Sequence, residues 1–267
     1  MKAVRLTGVG TLELREEAMP VPAPGEVLVR VVAVGVCGSD LHWFEESGIG
    51  DARLHTPLIL GHEFAGEIAS GPRTGERVAV DPAIVCGHCE YCRDGNPNFC
   101  ENGRFAGHGV DGALREFMAW PEECLFRVPD HFTAADAAML EPLGVAIHSV
   151  DLGKVRVGSS VGVIGCGPIG LFIVAVARAA GAGTIVASDR LPHRVELARR
   201  YGATIAVLAD GDAERAAARD ATGGRGLDVA FEAAGDDDAV TVAIDTVRSG
   251  ARVVLAGIPS SDETRFV

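Results

Sequence analysis

Short runs of Val, Leu and Ile, broken every few residues by Gly and Pro, fill the sequence from Met1 to about Pro129, as in Val27 to Val36 and Arg77 to Val80. Runs of that length suit strands and the Gly and Pro punctuation suits tight turns, so this part reads as an irregular, mostly β domain. Near Ala134 the texture changes to Ala-rich helical stretches. From Ser160 onward apolar, β-rich runs alternate with helical patterns: Val161 to Ile164, Thr184 to Ala187, Thr204 to Val207, Asp228 to Glu232 and Arg252 to Ala256. That alternation predicts a parallel sheet with crossover helices. Asp236 to Asp238 reads as a solvated loop or a helix start. The predicted organisation is α/β, with a mostly β domain over 1–133, a connecting helical segment over 134–157 and a doubly wound sheet over 158–267. No internal repeat or low-complexity tract interrupts it.

Composition narrows the function classes. The 267 residues are 48% apolar and 23% charged, enough for two cores. Lys and Arg total 24 against 37 for Asp and Glu, and the formal charge of -13 offers no broad positive field to phosphate backbones or anionic lipids. Nucleic acid and membranes are therefore not expected partners. The opening residues lack the basic and apolar regions of a signal peptide, and Leu171 to Ala180 is interrupted by Arg178 and short of the roughly 20 residues a membrane span requires. A soluble, cytoplasmic protein is expected. In a reducing compartment the tight spacing of the cysteines favours metal ligation over disulfides.

Val161-Gly-Val-Ile-Gly165-Cys-Gly167-Pro168-Ile169-Gly170 puts three glycines directly after a strand and at the start of a helix. In that context Gly165 can make the tight turn, Gly167 lets backbone approach a pyrophosphate, and Gly170 allows close helix–strand packing. The helix N-terminus supplies N–H groups and a positive dipole end to the phosphates. Asp189, nineteen residues past Gly170, ends the next strand, where a carboxylate can accept hydrogen bonds from an adenosine ribose and repel a 2'-phosphate. The expected cofactor is NAD. Arg190 and Arg194 work against that preference, since either could reach a phosphate.

Cys86, Cys89, Cys92 and Cys100 place four thiols within fifteen residues. Four thiolates fill the tetrahedral shell of zinc and leave no position for water or substrate, so this metal should be structural. His88 and His108 lie nearby but are not needed as ligands. A second set is dispersed: Cys37, the adjacent His62 and Glu63, and Glu141. A catalytic zinc wants three protein ligands of mixed N, S and O type plus an exchangeable position, and this set can provide them.

Gly61-His62-Glu63-x-x-Gly66, the Cys37-Gly-Ser-Asp-x-His42 segment, the four-cysteine lobe and Gly165 to Gly170 resemble, in the same order, the motifs of zinc-dependent medium-chain alcohol dehydrogenases. Leu140-Glu141-Pro142-Leu143 resembles the sorbitol and other polyol dehydrogenase branch, while Gly257-Ile258-Pro259 and Arg194 also resemble threonine 3-dehydrogenases. The resemblance implies a GroES-like catalytic domain followed by a Rossmann domain, with the active site between them. It assigns Cys37, His62 and Glu63 to a catalytic zinc, with Glu141 a fourth ligand or the holder of the metal-bound water. Two zinc ions per protein molecule and NAD are implied, with Pro168, Ile169, Gly257 and Ile258 among the cofactor contacts.

The activity implied is hydride transfer between a secondary alcohol or polyol and NAD, in an enzyme expected to be a homo-oligomer at full length. Ser39 would take the hydroxyl proton and pass it towards His42. Trp43 and Phe44 either line the substrate pocket or pack. Alternatives are a threonine 3-dehydrogenase-like activity, a zinc-free reductase on the same fold, and a non-catalytic nucleotide-binding zinc protein. Two features depart from the family: the segment after Gly66 is short, and the sequence stops at Val267, before the sixth strand of a doubly wound sheet. The Rossmann domain is therefore expected to be incomplete, truncated at its C-terminal end.

Overall fold

The computed structural model describes residues 1–258, so Pro259 lies outside the described residues. Two compact units make up the protein, Met1–Glu141 and Pro142–Val267. The division falls inside the segment expected to connect the domains.

The first unit is built on a five-stranded sheet whose spatial order is Phe117–Pro121, Glu26–Val34, Phe64–Ile68, Arg77–Val80 and Leu125–Arg127, all neighbours antiparallel. Alternate residues of these strands, Val27, Val29, Phe64, Ile68, Val78 and Met118 among them, meet in one buried cluster. That is the period-two pattern of a strand with one apolar face. Phe64–Ile68 and Arg77–Val80 are joined by a tight connection in which Gly71 and Gly75 take positive φ, which is how the shortened segment after Gly66 closes. The pairing Val34↔Phe64 places the end of one strand beside the start of another.

The second unit is a parallel five-stranded sheet in the order Ile205–Leu208, Thr184–Asp189, Ser160–Ile164, Leu227–Glu232, Val247–Leu255. Numbered in sequence order this is 3-2-1-4-5, the doubly wound order with its switch beside the first strand. Alternate residues of the central strands feed opposite faces. Val161, Val163, Ile185 and Ala187 pack against Ile173, Val174 and Ala177 of the helix Pro168–Ala179 and against Val195 and Ala198 of the helix Pro192–Tyr201. On the other face Ile164 and Ala230 meet Ala239, Val242 and Ala243 of the helix Asp237–Thr246, and Val186 meets Ala217 and Ala218 of the helix Asp212–Thr222. Burial on both faces explains why these strands read as continuous apolar runs. Fully burying side chains such as Ile173 and Phe231 contributes roughly 1.5–3 kcal/mol each. Asp236 caps the last of these helices by accepting the N–H of Ala239 at 2.7 Å, so the acidic run is a helix start. No helix among the described residues is long and apolar enough to cross a membrane.

Candidate metal centres and dinucleotide cleft

Antiparallel register assembles the dispersed set. Cys37 follows the strand Glu26–Val34, and His62 and Glu63 precede the strand Phe64–Ile68 that pairs with it. Gly35 closes the junction by donating its N–H to the Glu63 carbonyl at 2.6 Å. A Cβ on Gly35 would collide with the Glu63 side chain, so only glycine lets that carboxylate stand there. Ligand atoms of Cys37, His62 and Glu63 all lie within 4.8 Å of one another.

The local charge suits a cation. Burial pushes the Cys37 thiol and the Glu63 carboxyl up from their ordinary values, and pushes Glu141 up to about 7. Glu63 and Asp40 add to the rise at Cys37, Asp40 adds to it at Glu63, and Glu63, Asp81 and Asp40 add to it at Glu141. Acids thus converge around a buried imidazole, and the shifts at these three groups carry no contribution from a lysine or arginine. A divalent ion would relieve that crowding, and a thiol, an imidazole and a carboxyl are borderline-soft and hard donors that zinc accepts together. Glu141, second residue of the helix Leu140–Gly153, is close enough to feel His62 and Glu63 but does not join the three-residue cluster.

The helix Gly38–Glu46 begins directly after Cys37. Ser39 turns its Oγ towards Nε2 of His62, at 3.5 Å, whereas Nδ1 of His42 faces Glu46 at 3.1 Å. The two residues expected to form a relay therefore have different neighbours. Trp43 resolves to packing: it is buried against Leu6, Leu58 and Leu60 and carries the His108 ring edge-on at 5.4 Å.

Two residues here escaped the sequence reading. Asp40 is buried, accepts the N–H of Cys37 at 3.0 Å and of Gly61 at 3.2 Å, and stands 3.7 Å from Nδ1 of His62. Its signal was present: an acid at the third helical position is the reciprocal half of a capping box. Phe105 places its ring 5.2 Å from the ring of His62, and nothing local in the sequence announced it.

In the lobe, the strands Ala83–Ile84 and Arg104–Ala106 pair antiparallel and bring the ends of the cysteine segment together. Sulfur atoms of Cys86, Cys89, Cys92 and Cys100 all lie within 4.8 Å of one another, and none of the seven cysteines forms a disulfide. The N–H of Cys86 points at the Cys100 sulfur, at 3.3 Å, and that of Cys89 at the Cys86 sulfur, at 3.4 Å. Backbone N–H groups of His88 and Cys89 draw the Cys86 thiol down, towards the thiolate that binds metal, while burial and the neighbouring thiols push Cys92 up. His88 turns to the Cys86 carbonyl and His108 to Trp43, and neither belongs to the cluster.

In the second unit Gly165 takes φ +92°, and a Cβ there would press on Ala233 and Ala234. Gly167 is the N-cap and Pro168 the first residue of the helix Pro168–Ala179, with Ile169 next. Space over Gly167 is open except for the Arg194 guanidinium, and a Cβ on Gly170 would strike the Gly165 carbonyl. Gly165 and Gly167 rim a cleft of about 680 Å³ lined also by Asp189, Arg190, Arg194 and Ala234. Gly257 and Ile258 pack on Gly235, tied down by the Gly257 N–H to the Glu232 carbonyl at 3.1 Å. Glu232 is a third unforeseen residue: buried, with Oε1 accepting the N–H groups of Ala234 and Gly235 at 2.6 and 2.7 Å.

Asp189 is buried at the strand end, and its oxygens accept the N–H of Cys166 and of Leu191, both at 2.8 Å. Besides the ribose contact and 2'-phosphate repulsion expected of it, this carboxylate holds the glycine turn. Arg194 pairs with Asp189 at 3.6 Å and Arg190 with Asp236 at 3.2 Å.

Comparison with known proteins agrees with this geometry. Residues 23–130 match the alcohol dehydrogenase GroES-like domain family and residues 168–267 the zinc-binding dehydrogenase family. Sorbitol dehydrogenase of Bacillus subtilis is 41% identical over 263 residues, 95% of this chain and 74% of its own length. The chain belongs to the zinc-dependent medium-chain polyol dehydrogenases. A probable D-xylulose reductase A of Neosartorya fischeri is 38% identical over 95% of this dehydrogenase and 75% of that protein. A zinc-binding dehydrogenase from Sinorhizobium meliloti, solved bound to NADP, superposes with a TM-score of 0.88 at 34% identity, covering 100% of this dehydrogenase and 79% of that one. The fold is accordingly a GroES-like domain followed by a Rossmann-type sheet, and the protein is an oxidoreductase that uses zinc and a nicotinamide dinucleotide.

Proposed function

We propose that this dehydrogenase interconverts a secondary alcohol of a polyol and its ketone with NAD, on a zinc held by Cys37, His62 and Glu63. The mutual reach of those three unlike donors is the observation that carries the reading, because three protein ligands leave a coordination position for substrate oxygen. When bound, zinc lowers the pKa of the alcohol and the nicotinamide takes the hydride from carbon. Ser39 takes the substrate hydroxyl proton at Oγ as its own hydroxyl proton leaves, and His42, one turn further along the helix and beside Glu46, takes up a proton by way of intervening solvent and passes it on towards bulk water. Glu141, whose carboxyl burial pushes up to about 7, serves in its ionised form as a fourth ligand or orients a water. The four lobe cysteines hold a second, structural zinc.

Gly165 and Gly167, which line the cleft, and Pro168, Ile169 and Gly170, which open the helix beside it, would form the pyrophosphate seat, Asp189 and Arg194 in the lining the ribose end, and Gly257 and Ile258 part of the nicotinamide wall. The buried Asp189 supports NAD over NADP. The relatives favour a polyol over the threonine-like and non-catalytic alternatives. Cytoplasmic residence suits cysteines kept reduced for metal, and we include a homo-oligomer, to be checked by sedimentation. The deciding experiment follows NADH absorbance across a panel of sorbitol, xylitol, butanediol and threonine, with Cys37→Ala as control. Turnover of a polyol that is abolished by Cys37→Ala is expected; turnover that survives it overturns the site.

A further inference from the structure

The cofactor cleft lies at the carboxyl ends of the parallel strands, where Gly165 follows one strand and Asp189 ends the next. A second cavity, of about 510 Å³, lies at the amino ends of the same sheet. Ser159 precedes the strand Ser160–Ile164, Asp228 is second in Leu227–Glu232 and Arg248 second in Val247–Leu255, and all three line it. Lys154, Arg156 and Arg252 complete its charged lining. Four cations gathered in one hollow stand out on a protein of net charge -13.

Among the described residues Asp228 is the only acid in that lining, and its charge is already committed. It accepts Arg225 at 2.7 and 3.2 Å, Arg248 at 2.8 Å, and both the N–H and the hydroxyl of Ser160 at 2.9 Å. No carboxylate of the described residues pairs with Lys154, Arg156 or Arg252. Lys154 follows the carbonyl end of the helix Leu140–Gly153, whose partial negative charge it offsets in part. Arg156 and Arg252, both exposed, have no carboxylate partner among the described residues, and two cations lining one hollow favour an anion there. Ser159, whose Oγ accepts the Arg156 N–H at 3.0 Å, has its own hydroxyl proton to donate.

We propose that this cavity is a second ligand site, for a phosphate group, free or carried on a small metabolite, held by Arg156 and Arg252 and placed at the opposite end of the sheet from the dinucleotide. Planar guanidiniums bind phosphate oxygens in pairs, and the volume suits a small molecule. The test is run with NADH saturating, so that phosphate cannot act at the glycine turn. Inorganic phosphate and 3-phosphoglycerate are each titrated against chloride of equal ionic strength while the thermal midpoint is read. Both anions are expected to raise the midpoint beyond the chloride control, and a stronger response to 3-phosphoglycerate identifies a metabolite site. The double substitution Arg156→Gln, Arg252→Gln should weaken the apparent affinity at least about tenfold while NADH affinity stays unchanged. Single substitutions followed by ³¹P line broadening serve if the double variant does not fold. A midpoint that answers phosphate and chloride alike, or a response that survives both substitutions, overturns the proposal.

Discussion

Oδ1 of Asp40 stands 3.7 Å from Nδ1 of His62, both side chains almost wholly enclosed. The same carboxylate accepts the backbone N–H groups of Cys37 and Gly61, so one acid ties together the backbone at or beside two of the proposed ligands and faces the imidazole of the second. Partners of this kind tune metal affinity by about 10- to 100-fold. Asp40→Asn keeps the size but turns an acceptor into a donor. We expect zinc at the Cys37 site to be lost to chelators at correspondingly lower concentration, with lobe zinc retained, as measured by metal analysis after dialysis. Equal retention of both metals in the variant would show that Asp40 has no hold on the ligands.

The two sites should differ in lability, because four sulfurs close a coordination shell and one sulfur, one nitrogen and one oxygen leave it open. Mild chelation is expected to remove one zinc and the activity together while circular dichroism stays unchanged. Cys37→Ala should abolish turnover in a folded protein, whereas Cys89→Ala should lower the yield of folded protein. Loss of lobe zinc first, or turnover that survives the loss of metal, contradicts the assignment.

The parallel sheet was legible because each central strand is buried on both faces and so reads as an apolar run, and its strand ends fell within a few residues of the pattern, save that the last strand begins at Val247. The clustering of the four lobe cysteines was legible because they are local in sequence. What escaped was non-local. Asp40 acquires its meaning from Gly61 and His62, which only sheet pairing brings near, and Phe105 reaches His62 from beyond the lobe. Ser39 illustrates the same limit: Nε2 of His62, which stands 3.5 Å from its Oγ, is brought there by tertiary packing and not by spacing on its own helix.

Asp189 accepts the N–H of Cys166 inside the glycine turn, and we propose that it also repels a 2'-phosphate. Asp189→Gly should therefore narrow the preference for NAD over NADP and also weaken NADH binding, by about 1–3 kcal/mol for an acceptor lost from a buried N–H. Fluorescence titration with both cofactors separates the two effects. Equal catalytic efficiency with NAD and NADP in the unsubstituted enzyme would remove the proposed repulsion. Unchanged NADH affinity in the variant would show that the hydrogen bond to the turn does not support binding.

Asp228 sets an acid limit on the second unit. Hydrogen bonding to Arg225, reinforced by Arg248 and Ser160 and opposed by partial burial, holds its carboxyl well below the usual carboxylate range. An acid whose folded pKa is depressed binds its proton more weakly folded than unfolded, so its stabilisation is complete above the unfolded value of 3.8 and drains away as pH falls towards the folded value. Asp228→Asn lacks that contribution at every pH and leaves Arg225 and Arg248 without a counter-charge. At pH 7 the variant should be less stable by roughly 1–3 kcal/mol, the usual worth of hydrogen bonds to a charged group. The gap in thermal midpoint between parent and variant should hold constant from about pH 8 to about 5 and then close progressively below about 4, where the unfolded protein begins to take up the proton. Added salt should narrow the gap, because the guanidiniums of Arg225 and Arg248 that hold the carboxylate are themselves partly exposed. A gap that is flat down to about pH 3, or one that widens on acidification, would show that Asp228 draws no stability from its charge.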